Sequence, residues 1–177
     1  SHAEARFDLG AKYNELTLVF DLFVPNNFNH RNAPGPDNNK FLRLWTNTYN
    51  DLEKVGVSTW YQANGGSAIG EDFVLRQYSS MSTMITSRSD WISASDKGKW
   101  MSVKIYVKVS NDQEPGQIKL YKNGSLFHEN TQVDNNHIMG EQGLQYGYLL
   151  GWANSGFAED TYMYIDNVAF YSGKLEN

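Results

Sequence analysis

The feature that most narrows the folds open to this chain is an alternation with a period of two. In "ELTLVFDLFV" (Glu15 to Val24), Leu16, Leu18, Phe20, Leu22 and Val24 share one parity, as they do in a strand whose side chains point alternately to its two faces. In "KWMSVKIYVKV", Met101, Val103, Ile105, Val107 and Val109 form a second unbroken apolar row, with Trp100, Ser102, Lys104, Tyr106 and Lys108 opposite. A helix cannot use such rows, because its apolar stripe needs spacings of three and four. Shorter runs repeat the pattern. "KFLRLWT" sets Leu42 and Leu44 against Phe41, Arg43 and Trp45, and "DFVLRQY" sets Phe73, Leu75 and Gln77 against Val74, Arg76 and Tyr78. "VGVSTWYQ" also reads as a strand, and "QIKLYKNG" alternates into Asn123-Gly124, a strong hairpin-turn signal. In "LQYGYLLGWA", Tyr146, Tyr148, Leu150 and Trp152 oppose Gly147 and Gly151, while "TYMYIDNVAFYSG" aligns Tyr162, Tyr164, Asp166, Val168 and Phe170.

Asn29 to Asn39 carries Pro34 and Pro36 without periodicity and is expected to be a loop. Short helical turns are expected only within Asn47 to Lys54 or Ser87 to Ser95. Many short strands with turns between them predict an all-β chain, a two-sheet antiparallel jelly-roll sandwich. At 177 residues this is one domain, expected over residues 3–174, with Ser1-His2 and Leu175-Glu176-Asn177 as additions outside the fold. No cysteine is present, so packing, with or without a bound metal, must hold the sandwich together. A net charge of -5 argues against nucleic acid or an anionic membrane surface as partner. No apolar run approaches the about 20 residues of a membrane-spanning helix.

Aromatic residues make up 14% of the chain, with eleven tyrosines and five tryptophans. Two readings stand. Aromatic side chains favour strands; they also offer ring faces on which the C–H face of a sugar can stack.

The segment "GKW…V.VKV…G.I.LY.NG", followed by the late "YIDNVAFY", resembles the concanavalin A-like sandwiches. Within them the chain is most similar to small polysaccharide lyases of the alginate and glucuronan lyase type. The order "FVPNNF", "NNKFLRLW", "FVLRQY", the "GKW" strand pair and a closing "DN" strand runs from about Asn14 to Tyr171. The chain departs from that family where a "GGKLPG" run is expected, since Asn38-Asn39-Lys40-Phe41-Leu42-Arg43 stands there. It is also shorter than a typical lyase domain. The resemblance implies an extracellular or secreted protein, a polysaccharide or oligosaccharide partner held on a concave sheet, and a monomer.

Elimination from a uronate polymer requires the carboxylate to be neutralised, the C5 proton removed and the departing oxygen protonated; Arg suits the first task, Tyr, His or Lys the others. Arg76, Tyr146, Tyr148 and His137 are the catalytic candidates, and Arg43, Trp45, Tyr78, Lys104 and Tyr106 the substrate-binding ones. Each has a plain structural counterpart: tyrosines that fill the core, arginines paired with surface acids, a solvated loop histidine. The Trp100 to Lys108 row is either the floor of a groove or the wetted back of the sandwich. A structural calcium is a further candidate, with Asp166 and either Asp8 or Glu4 as ligands; a carboxylate capping a turn is the alternative. Three functions remain open: recognition of an extracellular, uronic-acid-containing polysaccharide, a β-eliminating lyase on the same polymer, or a structural or adhesion domain of a larger assembly.

Overall fold

The computed structural model describes residues 3–29, 38–46, 56–63, 73–79, 83–135, 143–151 and 156–175, with side chains described throughout except at 38–41, 56–63, 73–79 and 83–90. Eleven strands follow one another: β1 (Ala5–Tyr13), β2 (Glu15–Phe23), β3 (Asn38–Trp45), β4 (Gly56–Ala63), β5 (Phe73–Ser79), β6 (Thr83–Ile92), β7 (Trp100–Lys108), β8 (Gly116–Lys122), β9 (Ser125–Val133), β10 (Leu144–Leu149) and β11 (Tyr164–Ser172). They form a six-stranded sheet, β1-β10-β3-β4-β5-β6, and a five-stranded sheet, β11-β2-β7-β8-β9. The expected all-β antiparallel sandwich is what the chain forms, with no helix among the described residues.

The two long apolar rows meet side by side. β2 pairs with β7 from Glu15↔Lys108 to Phe23↔Trp100, which aligns Leu16 with Val107, Leu18 with Ile105, Phe20 with Val103 and Leu22 with Met101. All eight are at most 2% exposed. Ile118 and Leu120 extend this layer into β8, while Leu42, Leu44, Leu144 and Leu149 of the six-stranded sheet are buried in the same core. Each such side chain contributes about 1.5–3 kcal/mol of burial, so a one-residue slip that turned either row to solvent would be prohibitive.

Four local features differ from the sequence reading. β1 was not expected as a strand: its alternation ends where Gly10 adopts φ 75° and the pairing register with β10 shifts. β9 is polar throughout most of its length and forms the sheet edge, where pattern is weakest. Ser87 to Ile92 belongs to β6, so no helical turn occupies that stretch; the chain turns after it, at Ser93 to Asp96, closed by an Asp96 N–H to Ser93 C=O hydrogen bond of 3.0 Å. The other expected helical turn, within Asn47 to Lys54, lies outside the described residues. Finally, the row expected along β11 is broken. Asn167 stands at φ 52° in a β-bulge between Asp166 and Ala169, and a bulge inverts the parity beyond it. Ile165 and Phe170 therefore both pack on the core, while Val168 is 41% exposed. The Asn123-Gly124 signal is realised as a two-residue turn, both residues at positive φ (50° and 77°), joining β8 to β9.

Candidate functional site

On β10 the face of the six-stranded sheet turned away from the core rests on a glycine between two tyrosines. In β10, Tyr146-Gly147-Tyr148 puts a large ring to either side of a glycine whose absent side chain is required: a Cβ there would lie 2.3 Å from Phe7 Cζ and 2.8 Å from Leu44 Cδ2. The inner position is thus surrendered to Phe7 and Leu44, which pair directly with Gly147 from β1 and β3. The tyrosines point the other way. Thr46 fixes the entry to β10, its hydroxyl donating to the Gly143 carbonyl at 2.6 Å with Thr46 fully buried.

Backbone register arranges the candidate residues in rows. Tyr148 pairs with Arg6 on one side and Arg43 on the other; Arg43 pairs with Ser58, and Ser58 with Tyr78. The next row along is Asp8, Tyr146 and Trp45. Arg76 pairs with Trp60, two residues from Ser58 on β4. Residues in direct register share a face, and strands lie about 4.8 Å apart, so Arg6 and Arg43 flank β10 with backbones about 10 Å from each other. The side chains of Arg76 and Tyr78 lie outside those described; their register places them in the same sheet as Arg43, Trp45, Tyr146 and Tyr148.

Access is unequal among these candidates. Tyr148 is 1% exposed and Trp45 7%, the two rings tilted at 56° with centroids 6.0 Å apart. Trp45 also stacks at 26° on Tyr146, 6.3 Å away. Trp45 and Tyr148 therefore brace the site, while Tyr146 and Arg43 stay partly exposed and Arg6 and Asp8 exposed.

The Tyr146 hydroxyl is held in a defined hydrogen-bonding state. Gln145 Nε2 lies 3.1 Å from Asp8 Oδ1 and 3.1 Å from the Tyr146 oxygen. A carboxylate only accepts, so the Gln145 atom facing Asp8 must be the amide N–H donor, and the same amide then donates to Tyr146. Asp8 is itself fixed by the Gly10 N–H, 2.8 Å from Oδ1. Among the described residues no acceptor takes the Tyr146 proton. Arg6 donates from Nε to Glu4 Oε2 at 2.6 Å. Arg6 and Gln145 are parts of this site that the sequence reading missed; the only available signal was the short "ARFD" alternation feeding an unpredicted strand.

Lys104 and Tyr106 do not join the site. Both lie on β7, in the other sheet, which corrects their placement beside Arg43. Lys104 Nζ sits 4.2 Å from the Tyr121 ring centroid. Tyr106 is 5% exposed and donates its hydroxyl proton to Glu15 Oε2 at 3.0 Å; burial, then the Glu15 hydrogen bond and charge, push its pKa up to about 12. A phenol so held is no proton shuttle near neutrality. His137 lies outside the described residues.

The calcium candidates Asp166 and Asp8 lie on different strands. Asp166 is on β11 and accepts the Asn167 N–H at 2.7 Å, Asp8 and Glu4 are engaged as above near the start of the other sheet's edge strand, and among the described residues no three His, Cys, Asp or Glu side chains come together to hold a metal.

No family model matches the chain, and no curated protein matches it. Solved structures do. The alginate lyase Aly36B superposes with a TM-score of 0.69 at 15% identity, covering 100% of this chain and 79% of that one. An endo-β-1,4-glucuronan lyase from the fungus Trichoderma reesei gives 0.66 at 14% identity, over 98% and 74%. The potassium-bound carbohydrate recognition domain of Emp46p gives 0.59 at 10% identity, over 99% and 81%. The fold of this chain is a concanavalin A-like sandwich resembling those of polysaccharide lyases.

Proposed function

We propose that the outer face of the six-stranded sheet recognises a uronic-acid-containing polysaccharide. One observation carries this reading: Arg6 and Arg43 flank Tyr148 in a single cross-strand row, beside the row of Asp8, Tyr146 and Trp45. Two guanidinium groups on rigid strands suit successive carboxylates along a polymer, since Arg presents a planar fork to each. The partly exposed Tyr146 adds a ring and a hydroxyl to meet the sugar. Structures of a similar fold carry alginate: a variant of Aly36B was solved with an alginate tetrasaccharide at a TM-score of 0.67 and 14% identity. An extracellular setting follows from such a ligand.

A second reading, cleavage of the same polymer by β-elimination, is favoured by the Tyr146 hydroxyl, whose proton has no acceptor among the described residues. Arg43 would neutralise the uronate carboxylate, a base would take the C5 proton, and the C5–H pair would form the C4–C5 double bond as the C4–O bond breaks. The departing oxygen would receive the Tyr146 proton; His137 is the proposed base.

The test is direct. Mixed with alginate and with polyglucuronate, the protein is followed for mobility retardation in polymer-containing gels and for the ultraviolet absorbance of an unsaturated uronate product. Recognition requires retardation lost in Arg43→Ala. Elimination requires in addition an absorbance rise lost in Tyr146→Phe, with retardation kept. Absence of retardation on every uronate polymer refutes both.

A further inference from the structure

We infer that the opposite sheet carries a second, separate glycan-binding strip, directed at neutral polysaccharide. Its core is one cross-strand row at the end of the five-stranded sheet, Tyr164, Phe23 and Trp100, contributed by β11, β2 and β7. Phe23 is sunk between its neighbours, its centroid 5.6 Å from Trp100 and 5.9 Å from Tyr164, at 53° and 61° to their planes. These tilted and edge-on contacts prop the flanking rings, and Trp100 is 53% exposed and Tyr164 52%. Tyr162, 67% exposed, continues the strip 6.5 Å beyond Tyr164. Large rings left in water in a contiguous row mark an interaction surface. The three central rings, Phe23, Trp100 and Tyr164, are held by strands rather than by a loop, so little ordering entropy is lost when they bind.

The class of ligand is set by the adjoining row. Asp166, Asp21 and Ser102 pair across the same three strands, so two carboxylates lie alongside the rings. The bulge at Asn167 turns that residue onto both: its N–H donates to Asp166 Oδ1 and its side-chain amide to Asp21 Oδ2, each at 2.7 Å. One oxygen of each carboxylate is thereby fixed, and among the described residues the other has no donor. Sugar hydroxyls supply donors. A polyuronate would bring like charge against this row at a cost, whereas a neutral chain lays its C–H faces on Trp100 and Tyr164 and donates to Asp21 and Asp166. This strip is independent of the reading given for the six-stranded sheet, which has arginines where this one has aspartates.

The experiment is affinity electrophoresis of the 177-residue chain in gels containing hydroxyethyl cellulose, laminarin, galactomannan or alginate, with sedimentation velocity in parallel. Retardation on at least one neutral polymer is expected, weakened about tenfold by Trp100→Ala and by Tyr164→Ala. Arg43→Ala and Tyr171→Ala should leave it unchanged, Tyr171 being an exposed ring at the far end of the same sheet. Failure on all three neutral polymers overturns the inference, as does retardation indifferent to both ring substitutions. Alginate retardation that depends on Trp100 also overturns it. So does a sedimentation coefficient that rises with concentration in the parent and not in Trp100→Ala, since the strip would then be covered by a second copy.

Discussion

At the scale of single residues, position on one face or the other decides chemistry that residue type leaves open. Tyr106 and Tyr146 are both tyrosines on strands, yet one donates to Glu15 while, among the described residues, the other only accepts, from Gln145. Tyr106 should ionise near pH 12 in the folded protein against an ordinary 10.0. Because its folded value is the higher one, its contribution to stability is complete below pH 10.0 and is lost as pH climbs through 12. Ultraviolet-monitored titration should show the late Tyr106 phenol, moved part of the way toward 10 in Glu15→Gln; an unchanged titration would show that burial alone raises it. Gln145→Leu should leave the fold intact but release the Tyr146 ring, lowering any elimination rate at least about tenfold with a smaller change in binding. Equal losses in rate and affinity would instead mark Gln145 as a direct sugar ligand.

At the scale of elements, close approach and bulges explain what alternation alone does not. Gly147→Ala should cost about 2–3 kcal/mol, because Phe7 and Leu44 already fill the space a methyl needs; chemical denaturation measures it, and a cost below about 0.5 kcal/mol would mean the strands can part freely. The turn after β6 is locked differently. Asp96 accepts from the Ser93 N–H and hydroxyl, both at 2.7 Å, and pairs with Lys122 of β8 at 2.5 Å. Burial raises its pKa, but the Lys122 and Ser93 hydrogen bonds and the Lys122 charge outweigh this and hold it below the ordinary carboxylate value. The stability it adds is present at neutral pH and lost as pH falls through that lowered value. Asp96→Asn should thus lower the melting temperature at pH 7 and make no difference at pH 2.

How much of this was legible follows from the same elements. β2 and β7 were plain because each has nine residues of uninterrupted alternation, with one face wholly buried and so under full packing constraint. β1 and β9 were missed because these sheet-edge strands bury little and tolerate polar residues or a Gly10 bulge; β6, also at an edge, carries the run "TSRSD" with no apolar residue to mark a face. β11 was recognised as a strand but with its far half inverted, since nothing in "YIDNVAFY" states that Asn167 adds a residue to the ladder. The arginine and tyrosine candidates were found by parity; that Trp45 and Tyr148 would be covered, and that Lys104 and Tyr106 belonged to the other sheet, depends on strand order. Strand order is set by contacts far apart in the chain, to which period-two patterning is blind.

At the scale of the whole molecule, the sandwich has two unlike outer faces: one with arginines around a tyrosine row, one with aspartates beside an exposed aromatic strip. The core between them is built from rows that tolerate neither polarity nor slip, which leaves both outer faces free to differ. Leu18→Ala, at the centre of that core, should cost about 2–5 kcal/mol by denaturant titration without altering which polymers bind. A shift in polymer preference would tie recognition to the core rather than to the faces.

The measurement that bears most directly on the central claim is retardation of the parent chain and of Arg43→Ala in gels containing alginate, with Trp100→Ala run beside them. The account predicts retardation in the parent, its loss in Arg43→Ala and its retention in Trp100→Ala. No retardation of the parent, or loss in Trp100→Ala with Arg43→Ala unaffected, would contradict it.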